Sequence, residues 1–151
     1  MKKNEKLLYQ ANSVPSSLAL FYLVFNTCQT IFTLNAIDVS AAGIRVMEII
    51  LLNIVLSFLV FIAASEIKRY SRLWSLISLV TGIFQILRYY IIPPVSSEAF
   101  VRISTTLLAA GVILIIASLM SLVKCNEYLQ AQLSAKLPAQ TAANLSAQKE
   151  A

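Results

Sequence analysis

Four apolar runs, each about twenty residues long, take up most of this chain: 18–37, 44–64, 73–92 and 103–123. At the helical rise of 1.5 Å per residue, such a run reaches about 30 Å, the thickness of a bilayer's hydrocarbon core. Inside that core every backbone N–H and C=O must be satisfied within the segment, so an uninterrupted run of this length folds as helix. The expected fold class is therefore all-α: an integral membrane protein built as a four-helix transmembrane bundle. Composition agrees. Hydrophobic residues make up 58% of the chain and charged residues 13%, where soluble domains carry about a quarter charged residues. Mean hydropathy is +0.76. A length of 151 residues leaves room for one such unit and no second domain.

The connector between the second and third runs sets the orientation. It carries Lys68, Arg69 and Arg72 beside Glu66. Lys2, Lys3 and Lys6 precede the first run, and Lys124, Lys136 and Lys149 follow the fourth. Nine of the twelve basic residues thus fall on one side of the four spans; Arg45, Arg88 and Arg102 fall on the other. Basic loops stay cytoplasmic, so both termini are expected inside (N-in/C-in), with Lys68, Arg69 and Arg72 determining topology. The same bias explains the net charge of +5 without nucleic acid. Phe21, Tyr22, Tyr70 and Trp74 are expected at the inner interface, and Tyr89, Tyr90 and Phe100 at the outer one.

Residues 1–17 read as a cytoplasmic arm, and the first run as a retained span rather than a cleaved signal, since polar residues from Tyr9 to Ser17 separate it from the basic start. Pro93 and Pro94 are expected to stop the third helix. Residues 124–151 read as a cytoplasmic tail, disordered after about 138, where Ala, Gln and Ser dominate. Short loops and the basic bias point to a bacterial inner (plasma) membrane.

Counting from the span ends gives depths. Gln29 lies about 17 Å and Gln85 about 18 Å from the inner face, and Asn53 about 14 Å from the outer face. These three amides form a candidate polar layer at the midplane. Its plain role is interhelical hydrogen bonding, because an amide facing lipid would go unsatisfied; the functional alternative is a substrate pocket at the level where transporters often bind. Asn26, Thr30 and Thr33 share a face of the first span and are expected to meet the bundle or a partner. Ser78 with Gly82, and Thr106 with Ala110, are small-residue pairs that let helices approach closely. Glu48 and Arg88 each lie about 6 Å inside the outer boundary, and ionisable groups at such depth tend to pair, so a Glu48–Arg88 ion pair is expected. Plain snorkelling of Arg88 is the alternative.

The chain has no histidine, which removes the usual general base and the commonest metal ligand. It has no Walker loop, dinucleotide turn, CxxC or HExxH. Cys28 and Cys125 would sit at different depths, which disfavours a disulfide. No catalytic residue, metal or cofactor is assigned, and an enzyme is not expected. The expected partners are the lipid bilayer and either another membrane protein or a second copy. The expected function is an accessory or structural subunit of a larger membrane complex; the alternative is a small-molecule or ion transporter acting as a homo-oligomer.

Overall fold

The computed structural model describes residues 12–37, 39–91 and 96–149. The basic arm up to residue 11 and the Pro93–Pro94 stop lie outside the described residues. Four helices follow in order: α1 (Ser13–Ala36), α2 (Val39–Ile67), α3 (Arg72–Leu87) and α4 (Ser97–Lys149). A 3-10 turn, Arg88–Ile91, continues α3. α1 packs on α2 and α4, and α3 packs on α4 and, less extensively, on α2.

Three helices are long and apolar enough to cross a membrane: α1, α2 from Val46 to Ile67, and α4 from Ser97 to Ser134. α3 differs from expectation. Its α-helical part has 16 residues, about 24 Å. The 3-10 turn adds four residues, about 8 Å at its steeper rise. The backbone of α3 therefore reaches bilayer thickness only with its tightened end included. α4 differs in the other direction. It runs on as one helix through Pro138 to Lys149, where compositional reading expects disorder. Alanine, glutamine and leucine, frequent in that stretch, are strong helix formers, and composition alone does not separate a solvated helix from a coil.

The register of α1 against α2 is held by hydrogen bonds near one end. The last carbonyls of a helix have no partner within it. In α2 they are met from α1: Asn12 Nδ2 donates to the Ile67 carbonyl, and Ser16 Oγ to the Ala64 carbonyl at 2.6 Å. The connector folds tightly over the same end, with Arg69 N–H donating to Glu66 O at 2.9 Å and Tyr70 N–H to Ile67 O at 3.1 Å. Arg69 also pairs with Glu66 at 3.0 Å. Lys68 and Arg69 thus lie in the turn, and Arg72 begins α3.

Tyr70 closes this turn with a φ of 59°, a left-handed conformation that costs a side-chain-bearing residue roughly 1–2 kcal/mol. Two contacts with α4 hold it there. Its ring stacks on Tyr128 with centroids 4.7 Å apart, and its carbonyl accepts a hydrogen bond from Cys125 Sγ at 2.9 Å. Tyr70→Gly relieves the strain and loses the stacking, each about 1 kcal/mol, so its thermal midpoint should stay near the parent's. Tyr70→Val keeps the strain and loses the stacking, and should be the less stable of the two. The reverse order would mean that the ring contact outweighs the backbone.

The interior follows membrane rules. Many small and polar side chains face inward beside a few large apolar ones such as Leu107 and Leu114, while others such as Leu51 and Phe58 face outward. Ser75, Ser78, Thr81, Gly82 and Gln85 line the buried side of α3, and Ser75 meets Ser121 of α4 through a 2.7 Å hydrogen bond. Tyr22, expected at an interface, is instead fully buried among Ala19, Val60, Ala64, Ala110 and Leu114. The small residues around it leave room for the ring.

Candidate functional site

One polar cluster joins three helices. Asn26 of α1, Asn53 of α2, Gln85 of α3 and Arg88 at the start of the 3-10 turn are all buried, Arg88 at 8% exposure. Arg88 Nη1 donates to Asn53 Oδ1 at 2.9 Å and to Gln85 Oε1 at 3.1 Å. Gln85 Nε2 donates to Asn26 Oδ1 at 3.1 Å. Asn26 Nδ2 then donates to Ser57 Oγ at 2.9 Å and to the Asn53 carbonyl at 3.3 Å.

The arginine orients the whole chain of bonds. A guanidinium only donates, so it must face the carbonyl oxygens of Asn53 and Gln85. That turns the Gln85 amide nitrogen towards Asn26, and the Asn26 nitrogen towards α2. Each donor in the series is polarised by the one before it. The result is a cation held in the interior by neutral amides. Its chemical capability is to fix three helices in one register.

Of the expected midplane amides, the structure brings Asn53 and Gln85 together, but through Asn26 and Arg88. Gln29 stands one turn away. Its Nε2 donates to Thr33 Oγ1 at 3.1 Å, and its Oε1 has no hydrogen-bond partner. Antiparallel packing explains the exchange: α1 and α2 run past each other with Asn12 beside Ile67 and Ser16 beside Ala64, and the same register sets Asn26 beside Asn53. Asn26 was legible as a polar residue on the inner face of α1 but not as the hub of the layer. The rest of its stripe divides. Thr33 is buried and Thr30 half-buried, and both hydroxyls bond back to carbonyls of their own helix, Thr33 to Gln29 and Thr30 to Asn26, which removes their need for a partner.

The expected Glu48–Arg88 ion pair is not formed. Glu48 is exposed, and Arg88 bonds instead to Asn53 and Gln85. The reason is azimuth. Val46 faces the bundle, and Glu48, two residues on, is turned by about 200° to the opposite side of α2. Among the described residues no group of three His, Cys, Asp or Glu side chains comes together. Cys28 and Cys125 are both free.

Two cavities border this cluster's helices. A groove of about 570 Å³ runs between α1 and α2 on the outward side, with Asn26, Thr30, Asn53 and Ser57 in its floor and Ile54 and Phe58 among its apolar residues. A second cavity, of about 400 Å³, lies between the end of α1 and the start of α4, beside Asn35, Glu98 and Arg102.

No protein-family model, curated protein or solved structure matches this chain. What its own fold defines is a helical protein with three helices long and apolar enough to span a membrane.

Proposed function

We propose that this chain is a four-span membrane protein that serves as an accessory or structural subunit of a larger membrane complex, and not an enzyme. In this reading α3 with its 3-10 turn is the fourth span. Both termini lie on the cytoplasmic side, and the membrane is a bacterial inner membrane. The observation that carries the role is the buried interhelical polar cluster. Arg88, Gln85, Asn26, Asn53 and Ser57 bond to one another, so the groups a transporter would present to a substrate are instead engaged in holding helices.

Gentle detergent extraction followed by native mass spectrometry tests the role. A different protein should co-purify in fixed ratio. A stable homo-oligomer alone, or a monomer, would overturn the subunit reading. Reporters at Ala151 and in the Pro93–Pro94 segment should report opposite compartments; a shared compartment would overturn the four-span arrangement.

A second reading, a small-molecule or ion transporter acting as a homo-oligomer, is favoured by the α1/α2 groove, which gives access to Asn26 and Asn53 from outside the helix pair. Its sign would be ligand-dependent protection of a thiol introduced at Ser57, which a purely structural groove would not show.

A further inference from the structure

We propose that the outward face of α3 and the basic turn at its start hold an anionic phospholipid, with the lipid phosphate at Arg72 and Lys68 and an acyl chain along the helix. The proposal uses the four-span arrangement above. It goes beyond the subunit role and does not depend on it.

Leu73, Leu76, Val80, Ile83 and Leu87 are exposed and recur every three or four residues. They form one apolar stripe on α3, opposite the buried Ser75, Ser78, Gly82 and Gln85. From Leu73 to Leu87 the stripe runs about 21 Å, longer than one leaflet's share, about 15 Å, of the hydrocarbon core. Such a stripe fits any acyl chain. The charge at its end is what selects the headgroup.

Arg72 is exposed and precedes Leu76 by one turn on the same side of the helix. Helical side chains tilt towards the N-terminus, so this one extends past the stripe to headgroup level. Lys68 lies in the same tight turn, which the Ser71 N–H closes on the Glu66 carbonyl at 3.4 Å. α4 brings Lys124 to this end, since the neighbouring Cys125 bonds to the Tyr70 carbonyl at 2.9 Å. Carboxylates do not cancel these charges. Glu66 is paired with Arg69 at 3.0 Å, and the first turn of α3 holds no acidic residue. Among the described residues that leaves Glu127 of α4 at this end, against Lys68, Arg72 and Lys124. An anionic lipid neutralises the excess while its chain covers the stripe. A zwitterionic lipid carries a cation of its own beside the phosphate and gains less. Each basic residue at an anionic surface strengthens the attraction about fivefold.

The experiment reconstitutes the full chain in nanodiscs of equal parts phosphatidylglycerol and phosphatidylcholine. Native mass spectrometry then counts the lipids that stay bound after release. Phosphatidylglycerol should be retained in excess. Arg72→Gln should cut that excess about fivefold, and Arg72→Gln with Lys68→Gln about twenty-five-fold. Arg72→Lys keeps the charge and should keep the excess. Arg69→Gln, which removes a guanidinium already held by Glu66, and Arg102→Gln at the other end should each change it by less than about twofold. Inorganic phosphate should not displace the lipid. No excess of phosphatidylglycerol, or an excess unmoved by Arg72→Gln, would overturn the proposal. Equal losses for Arg69→Gln and Arg72→Gln would replace the site by diffuse surface charge and overturn it too. Displacement by inorganic phosphate would reassign the site to a free anion and overturn the lipid. Reporters in a shared compartment would strike the four-span arrangement and this site with it, whereas failure of the lipid count alone strikes only the site.

Discussion

Gly111→Leu is expected to force α3 and α4 apart and destabilise the protein by about 3 kcal/mol. The two backbones come close where Gly82 meets Gly111. A Cβ built on Gly111 would lie 2.6 Å from Ile86 Cγ1 and 3.0 Å from the Gly82 carbonyl oxygen. One built on Gly82 would lie 2.9 Å from Ile115 Cγ1 and 3.1 Å from the Gly111 carbonyl oxygen. The isoleucine side chains can rotate away. The carbonyls are helix backbone and move only if the helices separate. Alanine at 111 should be milder, because it gains about 1 kcal/mol of helix propensity against an overpacking penalty of about 1–3 kcal/mol. Leucine adds three more carbons to the same gap with no further gain. The readout is the buried thiol of Cys125, which packs under the Tyr70 carbonyl. In a Cys28→Ser background, maleimide should reach it only when α3 and α4 open. A loss of 3 kcal/mol corresponds to labelling about a hundredfold faster. An unchanged labelling rate for Gly111→Leu would mean that this crossing does not hold the pair together.

That contact shows what was legible and why. Small residues at spacing four on the third and fourth runs mark packing surfaces, and Ser78 and Gly82 do line the buried side of α3. Helix existence was legible in α1, α2 and α4 because length and apolarity are properties of the run itself. Helix ends were not. The α-helix of α3 ends at Leu87, before the expected end at 92, since hydropathy does not sense a change from α to 3-10 winding. Facing was harder still. In a soluble helix an apolar stripe announces the buried side. In α2 both sides are apolar, so the pattern carried little azimuthal contrast, and depth alone paired Glu48 with Arg88. The useful signal was the inverse one. Asn53, Leu56, Val60, Ala63 and Ile67 are buried and recur every three or four residues, with Val46 two turns before Asn53, and the amide among them marks the inner face. Glu48 lies off that series.

Gln85→Met should destabilise the protein more than Arg88→Met, although arginine is the larger and charged residue. Removing Gln85 takes one carbonyl acceptor from a buried cation and leaves Asn26 Oδ1 without its donor. Taking a hydrogen-bond acceptor from a buried charge costs about 1.5–3 kcal/mol, and the orphaned Asn26 oxygen adds about 1–3 kcal/mol. Arg88→Met removes two hydrogen bonds, to Asn53 and Gln85, and leaves two carbonyl oxygens needing donors, about 1–3 kcal/mol each. It also removes the charge, and with it a desolvation penalty of several kcal/mol. The Asn53 amide, no longer held by a guanidinium, can turn over and offer its otherwise unpartnered nitrogen to Gln85 Oε1, which leaves the Gln85–Asn26 bond in place. The net loss for Arg88→Met should therefore be no more than about 2 kcal/mol. The double variant decides the matter. If the cation is the source of the Gln85→Met penalty, adding Arg88→Met should recover part of the lost stability, a coupling of opposite sign to simple addition. Thermal unfolding in detergent, followed by Cys125 labelling, measures all three. Strictly additive losses, or an Arg88→Met loss larger than that of Gln85→Met, would show that the guanidinium is not a charge tolerated for the sake of orienting amides, and would assign it a stabilising partner other than Asn53 and Gln85.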